Sequence, residues 1–166
     1  MIEIGDSARY DLPAAAVFAA LTDIAAYPSW QDAVESASLV DGPLRVGAHV
    51  REVRKEFGWR GQVDVTVAEF VAGELLTLAT SDGTTPAVRQ SYRVTSEGTG
   101  CRLSYRLVLD GVPRLFEPAV RAQLHRQVRR TLRKLAERVL VTGEPQGRLP
   151  SPRGCRPPVP PAGASR

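Results

Sequence analysis

The chain has 166 residues and a mass of 18.0 kDa, of which 43% are hydrophobic and 24% charged. This suits one domain with a sizeable core, and it excludes both a multidomain assembly and a highly charged disordered chain. The net charge of +4 is unevenly spread: residues 1–112 carry 10 Lys and Arg against 15 Asp and Glu, residues 113–141 carry 8 against 2, and residues 142–166 carry 4 against 1. The basic pI near 9.5 therefore belongs to one segment and a tail, and no nucleic-acid partner is expected from it.

The N-terminus places Glu3 and Asp6 where a secretory signal would carry positive charge, and the longest apolar run, Ala14 to Leu21, is too short to span a bilayer. Ile2, Ile4, Ala8 and Tyr10 alternate with polar positions and predict a first strand. Pro13 then opens a helix over Ala14 to Leu21, and Asp23 is placed to cap a second short helix ending near Tyr27-Pro28. Strand patterns follow over about 34–40, 48–57, 59–70, 75–81, 87–95 and 101–109, separated by Gly-rich turns such as Phe57-Gly58, Asp82-Gly83 and Gly98-Thr99-Gly100. The alternation is sharpest in Val63, Val65 and Val67, and again in Leu103, Tyr105, Leu107 and Leu109. Such strands have one dry face and one wet face.

A long amphipathic helix closes the domain, with Phe116, Val120, Leu124, Val128, Thr131, Leu135 and Val139 on its apolar stripe and six basic residues between Arg121 and Lys134 on the rest. The pattern ends at Val141. Residues 142–166 hold 7 of the 13 prolines and 4 of the 14 glycines without apolar periodicity, and read as a disordered Pro/Gly/Arg-rich tail. The expected architecture is α+β: about seven antiparallel strands in a curved sheet wrapped around the long helix, with two short helices after the first strand. A strongly curved sheet and a straight helix leave space between them, so an internal apolar cavity is expected.

Cys101 and Cys155 stand 54 positions apart, and the two histidines, His49 and His125, have no Cys, His or carboxylate neighbours at ligand spacing. No metal site, cofactor or disulfide framework is expected, and a reducing cytoplasmic setting fits.

The charged run Arg51-Glu52-Val53-Arg54-Lys55-Glu56 is the most informative constellation. If Phe57-Gly58 forms a two-residue hairpin loop, Val50 faces Val65, Arg51 faces Asp64, Glu52 faces Val63 and Arg54 faces Gly61. That register turns Glu52 and Arg54 inward among the valines, with Gly61 leaving room for the guanidinium. A loop longer by one residue turns Arg51, Val53 and Lys55 inward instead. The first is favoured, because the second sets Arg51 against Val65. A carboxylate and a guanidinium inside an apolar space need each other, water or a ligand. Tyr92, Tyr105 and Gln90 fall on the dry-face alternation and can offer polar contacts, although core tyrosines more often bond only the backbone.

Val17-Phe18, Leu21-Thr22-Asp23, Tyr27-Pro28-Ser29-Trp30, Gly47, Gly58-Trp59-Arg60, Val67-Ala68-Glu69, Tyr92-Arg93-Val94, Gly100-Cys101-Arg102-Leu103 and Leu135-Ala136-Glu137 together resemble the START-like helix-grip superfamily. This is the SRPBCC group of polyketide cyclases/dehydrases, lipid-transfer proteins and pollen-allergen-like ligand binders. The resemblance covers residues 1–141 and departs at Cys101, where the family often has Thr. It implies a helix-grip ligand-binding domain over 1–141 and a hydrophobic or amphipathic small-molecule ligand, lipid or polyketide-like, in the cavity. It also implies that Trp30 and Trp59 stand near the cavity mouth, a position that ordinary packing explains equally well.

The ligand-binding candidates are then Trp30, Glu52, Arg54, Trp59, Val63, Val65, Leu78, Gln90, Tyr92, Tyr105, Phe116, Val120 and Leu124. The alternative is a polyketide aromatase/cyclase or dehydratase acting by general acid/base catalysis in the same cavity. Its catalytic candidates are Glu52, Arg54, Tyr92 and Tyr105. The basic face of the last helix leaves a weaker expectation of contact with an anionic membrane surface.

Overall fold

The computed structural model describes residues 1–143 apart from 57, 81, 82 and 85, with only the backbone described at 56 and 143. The tail over 142–166 therefore lies almost wholly outside the described residues. Strand β1 (Ile2–Tyr10) is followed by helix α1 (Ala14–Thr22) and a 3₁₀ helix (Ile24–Ser29). Strands β2 (Val34–Leu39), β3 (His49–Glu56), β4 (Trp59–Val71), β5 (Leu75–Thr80), β6 (Ala87–Glu97) and β7 (Gly100–Asp110) come next, and helix α2 (Glu117–Gly143) ends the fold. The strands form one curved antiparallel sheet in the order β1-β7-β6-β5-β4-β3-β2. The two short helices carry the chain from one edge to the other, and α2 lies in the concave face against β1 and α1. This is the α+β helix-grip arrangement.

The β3–β4 hairpin turns at Gly58, whose φ of +78° is costly for a residue with a Cβ. Its register sets Val50 against Val65, Arg51 against Asp64, Glu52 against Val63 and Arg54 against Gly61, the pairing a two-residue loop dictates. Arg51 meets Asp64 on the wet face at 3.0 Å. Gly61 has a different reason from the one expected: a Cβ there would lie 2.0 Å from Cζ2 of Trp59. The glycine makes room for the indole, which folds back along its own strand.

The core begins where β1 and α1 meet α2. Val17, Phe18 and Leu21 of α1 are buried against the sheet, and the Tyr10 hydroxyl donates to the Leu132 carbonyl at 2.8 Å. Pro13 sits at the N-cap of α1, one position earlier than expected, and Asp23 makes no side-chain cap to the 3₁₀ helix. Its carboxylate instead receives Arg138 of α2 at 3.0 Å. Ion pairing outcompetes capping here because α2 brings a guanidinium within reach.

On α2 the buried residues are Leu124, Val128, Leu132, Leu135 and Val139. Leu132 joins the dry line beside Thr131, which is half-buried and faces the space between helix and sheet as expected. Phe116 precedes the helix and is 57% exposed, so the expected stripe begins one turn too early. Arg129 reaches Asp6, Arg130 and Lys134 both reach Asp32, and Arg138 reaches Asp23. Four basic residues of the helix thus pair with carboxylates of the acidic body. No helix among the described residues is long and apolar enough to cross a membrane.

Candidate functional site

Between the concave face of the sheet and the N-terminal half of α2 lies a cavity of about 790 Å³. Its apolar wall is dealt out by strand alternation: Val63 and Val65 from β4, Leu78 from β5, Val88 from β6, and Leu107 and Leu109 from β7. Val120, Leu124 and Val128 close it from α2. The C-terminal half of α2 packs against β1 and α1 through Leu132, Leu135 and Val139, which is why the free space lies toward the other end.

Among the cavity's polar groups, three form one cluster on β6 and β7. Tyr92 and Tyr105 are cross-strand partners with ring centroids 4.8 Å apart. Both hydroxyls lie 3.4 Å from Oε1 of Gln90, two residues before Tyr92 on the same face. Burial, reinforced by Tyr105, Tyr27 and Glu52, pushes the Tyr92 phenol well above its ordinary 10.0. It stays protonated and serves as a donor, not a base.

The Glu52–Arg54 pair is built as the register predicts. Arg54 Nη1 donates to Glu52 Oε2 at 2.8 Å, with the Glu52 side chain fully buried and that of Arg54 16% exposed. Only Arg54 lines the cavity. Glu52 lies deeper, close enough to Tyr27 and Tyr92 to help raise both phenols. Trp30 is fully buried as well, stacked edge-on to Tyr27 with centroids 4.9 Å apart and 6.1 Å from Tyr92. Three buried polar atoms here, Trp30 Nε1, Gln31 Nε2 and Glu52 Oε1, have no hydrogen-bond partner among the described residues. Gln31 also lines the cavity.

Of the residues expected to touch a ligand, Arg54, Trp59, Val63, Val65, Leu78, Gln90, Tyr92, Tyr105, Val120 and Leu124 do line the cavity. Trp59, 53% exposed, forms part of its rim. Trp30, Glu52 and Phe116 are not in its wall: the first two are packed behind it and the third faces solvent. Leu107, Leu109 and Val128 join the wall from outside the expected set, although the dry-face alternation of β7 and the stripe of α2 mark all three. Gln31 and Gln127 line the cavity with no periodic signal to mark them. His49 sits on the exposed outer face, bonded to Asp41, and His125 is exposed on α2, so no histidine lines the cavity.

Residues 1–140 match the family described as polyketide cyclase/dehydrase and lipid transport, and the chain belongs to it. No curated protein matches the chain in sequence. Among solved structures it is similar to a START superfamily protein from Mycobacterium smegmatis, with a TM-score of 0.70 and 14% identity over 84% of this chain and 98% of that one. It is also similar to the Zhui aromatase/cyclase from Streptomyces sp. R1128, with a TM-score of 0.69 and 12% identity over 89% and 99%. A protein from Thermus thermophilus gives 0.69 and 18% over 86% and 99%. At such identities the likeness establishes the fold.

Proposed function

We propose that this chain is a binding protein that encloses one hydrophobic or amphipathic small molecule, lipid or polyketide-like, between its sheet and α2. The observation that carries this reading is the cavity itself, about 790 Å³ walled mainly by aliphatic side chains. That size and lining suit a drug-sized apolar ligand oriented by a few polar groups. Arg54 and the Tyr92, Tyr105 and Gln90 cluster are those groups, and the two phenol hydroxyls, held by Gln90 only at 3.4 Å, would turn to donate to a ligand carbonyl or hydroxyl.

The test is the fluorescence of an apolar dye titrated into the folded protein. Saturable one-to-one binding and displacement by long-chain lipids are expected, with a much weaker complex for Val120→Trp, which fills the space from the helix side. Non-saturable binding, or binding indifferent to Val120→Trp, would contradict the proposal.

A second reading, a polyketide aromatase/cyclase or dehydratase, draws on the placement of Arg54 and two phenols in one cavity wall, and on the likeness to an aromatase/cyclase fold. Arg54 would hold an enolate, and the hydroxyl of Tyr92 or Tyr105 in the same wall would deliver the proton as general acid. The binder is preferred because Glu52 stands behind the wall with one oxygen engaged by Arg54, and no histidine lines the cavity.

A further inference from the structure

On the outside of the molecule, a groove of about 240 Å³ runs between α2 and the segment after the 3₁₀ helix. Its charged side chains are Lys55, Arg126, Arg130 and Asp32. Asp32 is already engaged by Arg130 and by Lys134. Lys55 and Arg126 are exposed and make no ion pair among the described residues. Among the described residues, three cations face one carboxylate that is already shared, so these residues leave the groove with a net positive field.

The groove lies back to back with the cavity. Gln127 lines both spaces, Gln31 lines the cavity while Asp32 lines the groove, and Arg54 lines the cavity while Lys55 lines the groove. The two spaces thus face each other across α2, β3 and the segment after the 3₁₀ helix. We infer that the groove is the head-group site of the ligand, and that the ligand is an amphipathic anion. Its apolar body fills the cavity, and its acidic group reaches past the Gln127 side chain, which lines both spaces and must swing aside, to lie between Lys55 and Arg126. Arg54 is not the anion's charge partner, because the buried Glu52 carboxylate already neutralises its guanidinium; its remaining N–H groups serve the uncharged part of the ligand. The inference rests on the reading of the cavity as a ligand site and specifies the ligand's chemical class.

The experiment displaces a cavity-bound dye with dodecanoate and with dodecanol at neutral pH and low salt. It uses the wild-type protein and the double variant Lys55→Gln with Arg126→Gln, whose sites are exposed and without ion pairs among the described residues. Dodecanoate is expected to bind about three- to tenfold tighter than dodecanol, the gain that two partly exposed charge contacts give. Added salt should shrink that advantage. In the double variant the advantage should vanish while dodecanol binds as before. Equal affinities in the wild type overturn the inference and leave the cavity reading intact. A carboxylate advantage that survives the double substitution also overturns it, because the anion is then held elsewhere. Failure of both probes to displace the dye refutes the cavity reading, and the inference with it.

Discussion

Glu52 and Arg54 show what a single pair of residues imposes on this fold. A carboxylate with its side chain wholly buried is tolerable because Arg54 donates to it at 2.8 Å. Removing the cation alone leaves an uncompensated buried charge. Arg54→Met should therefore cost about 3 kcal/mol or somewhat more in denaturant unfolding, whereas Glu52→Leu combined with Arg54→Met should recover much of it. A neutral Arg54→Met would show that solvent reaches Glu52.

The buried phenols make a second prediction. Burial raises Tyr27 and Tyr92 well above 10.0. The folded state thus keeps protons that the unfolded state releases above its ordinary value, so their contribution is complete below pH about 10 and is lost as the pH rises past it. Tyrosinate absorbance from these two should appear together with unfolding and not before it. The inward register of the pair was legible because side-chain alternation and loop length leave only two choices. The role of Gly61 was not, because it depends on the rotamer of Trp59.

Among the elements, β4 and α2 depart most from their sequence patterns. The alternation Val63, Val65, Val67 continues on paper through Glu69, yet the β4–β5 pairing shifts between Val67 and Glu69. This bulge turns Phe70 inward, where its ring lies 6.0 Å from that of Phe18. A bulge leaves no mark in a hydrophobic pattern except the odd residue it rescues. On α2 the stripe was legible from Leu124 to Val139. The burial of Leu132 beside the cavity-lining Thr131 was not, because it depends on where the helix leaves the cavity and begins to pack on α1 and β1. Leu135, fully buried, should lose about 2–5 kcal/mol on Leu135→Ala by thermal or denaturant unfolding. Phe116→Ala should change stability by less than about 0.5 kcal/mol, since the ring is mostly in solvent.

The molecule as a whole is held by an acidic sheet body and a basic helix that face each other. Lys134 bonded to Asp32, with Arg130 adding to it, holds the Asp32 carboxyl below its ordinary 3.8. A lowered folded value contributes stability above the unfolded one and loses it as the pH falls through the folded one. Asp32→Asn should cost at most about 1 kcal/mol at neutral pH, because the groups are partly exposed. The difference from wild type should fade in acid and in high salt. Half of the basic residues of the 113–141 segment, Arg129, Arg130, Lys134 and Arg138, are engaged in such contacts with the body.

The cavity is the property that no single residue announces. It arises because the strands curve, α2 is straight, and Leu132, Leu135 and Val139 fill only one end. Its occupant is best tested by native mass spectrometry of the protein purified under gentle conditions, with dodecanoate added where nothing co-purifies. A single adduct per chain is expected, one that survives transfer to the gas phase and is absent from Val120→Trp. Wild-type protein that carries no adduct under either condition, or an adduct unchanged in Val120→Trp, would contradict the proposed enclosure of a ligand.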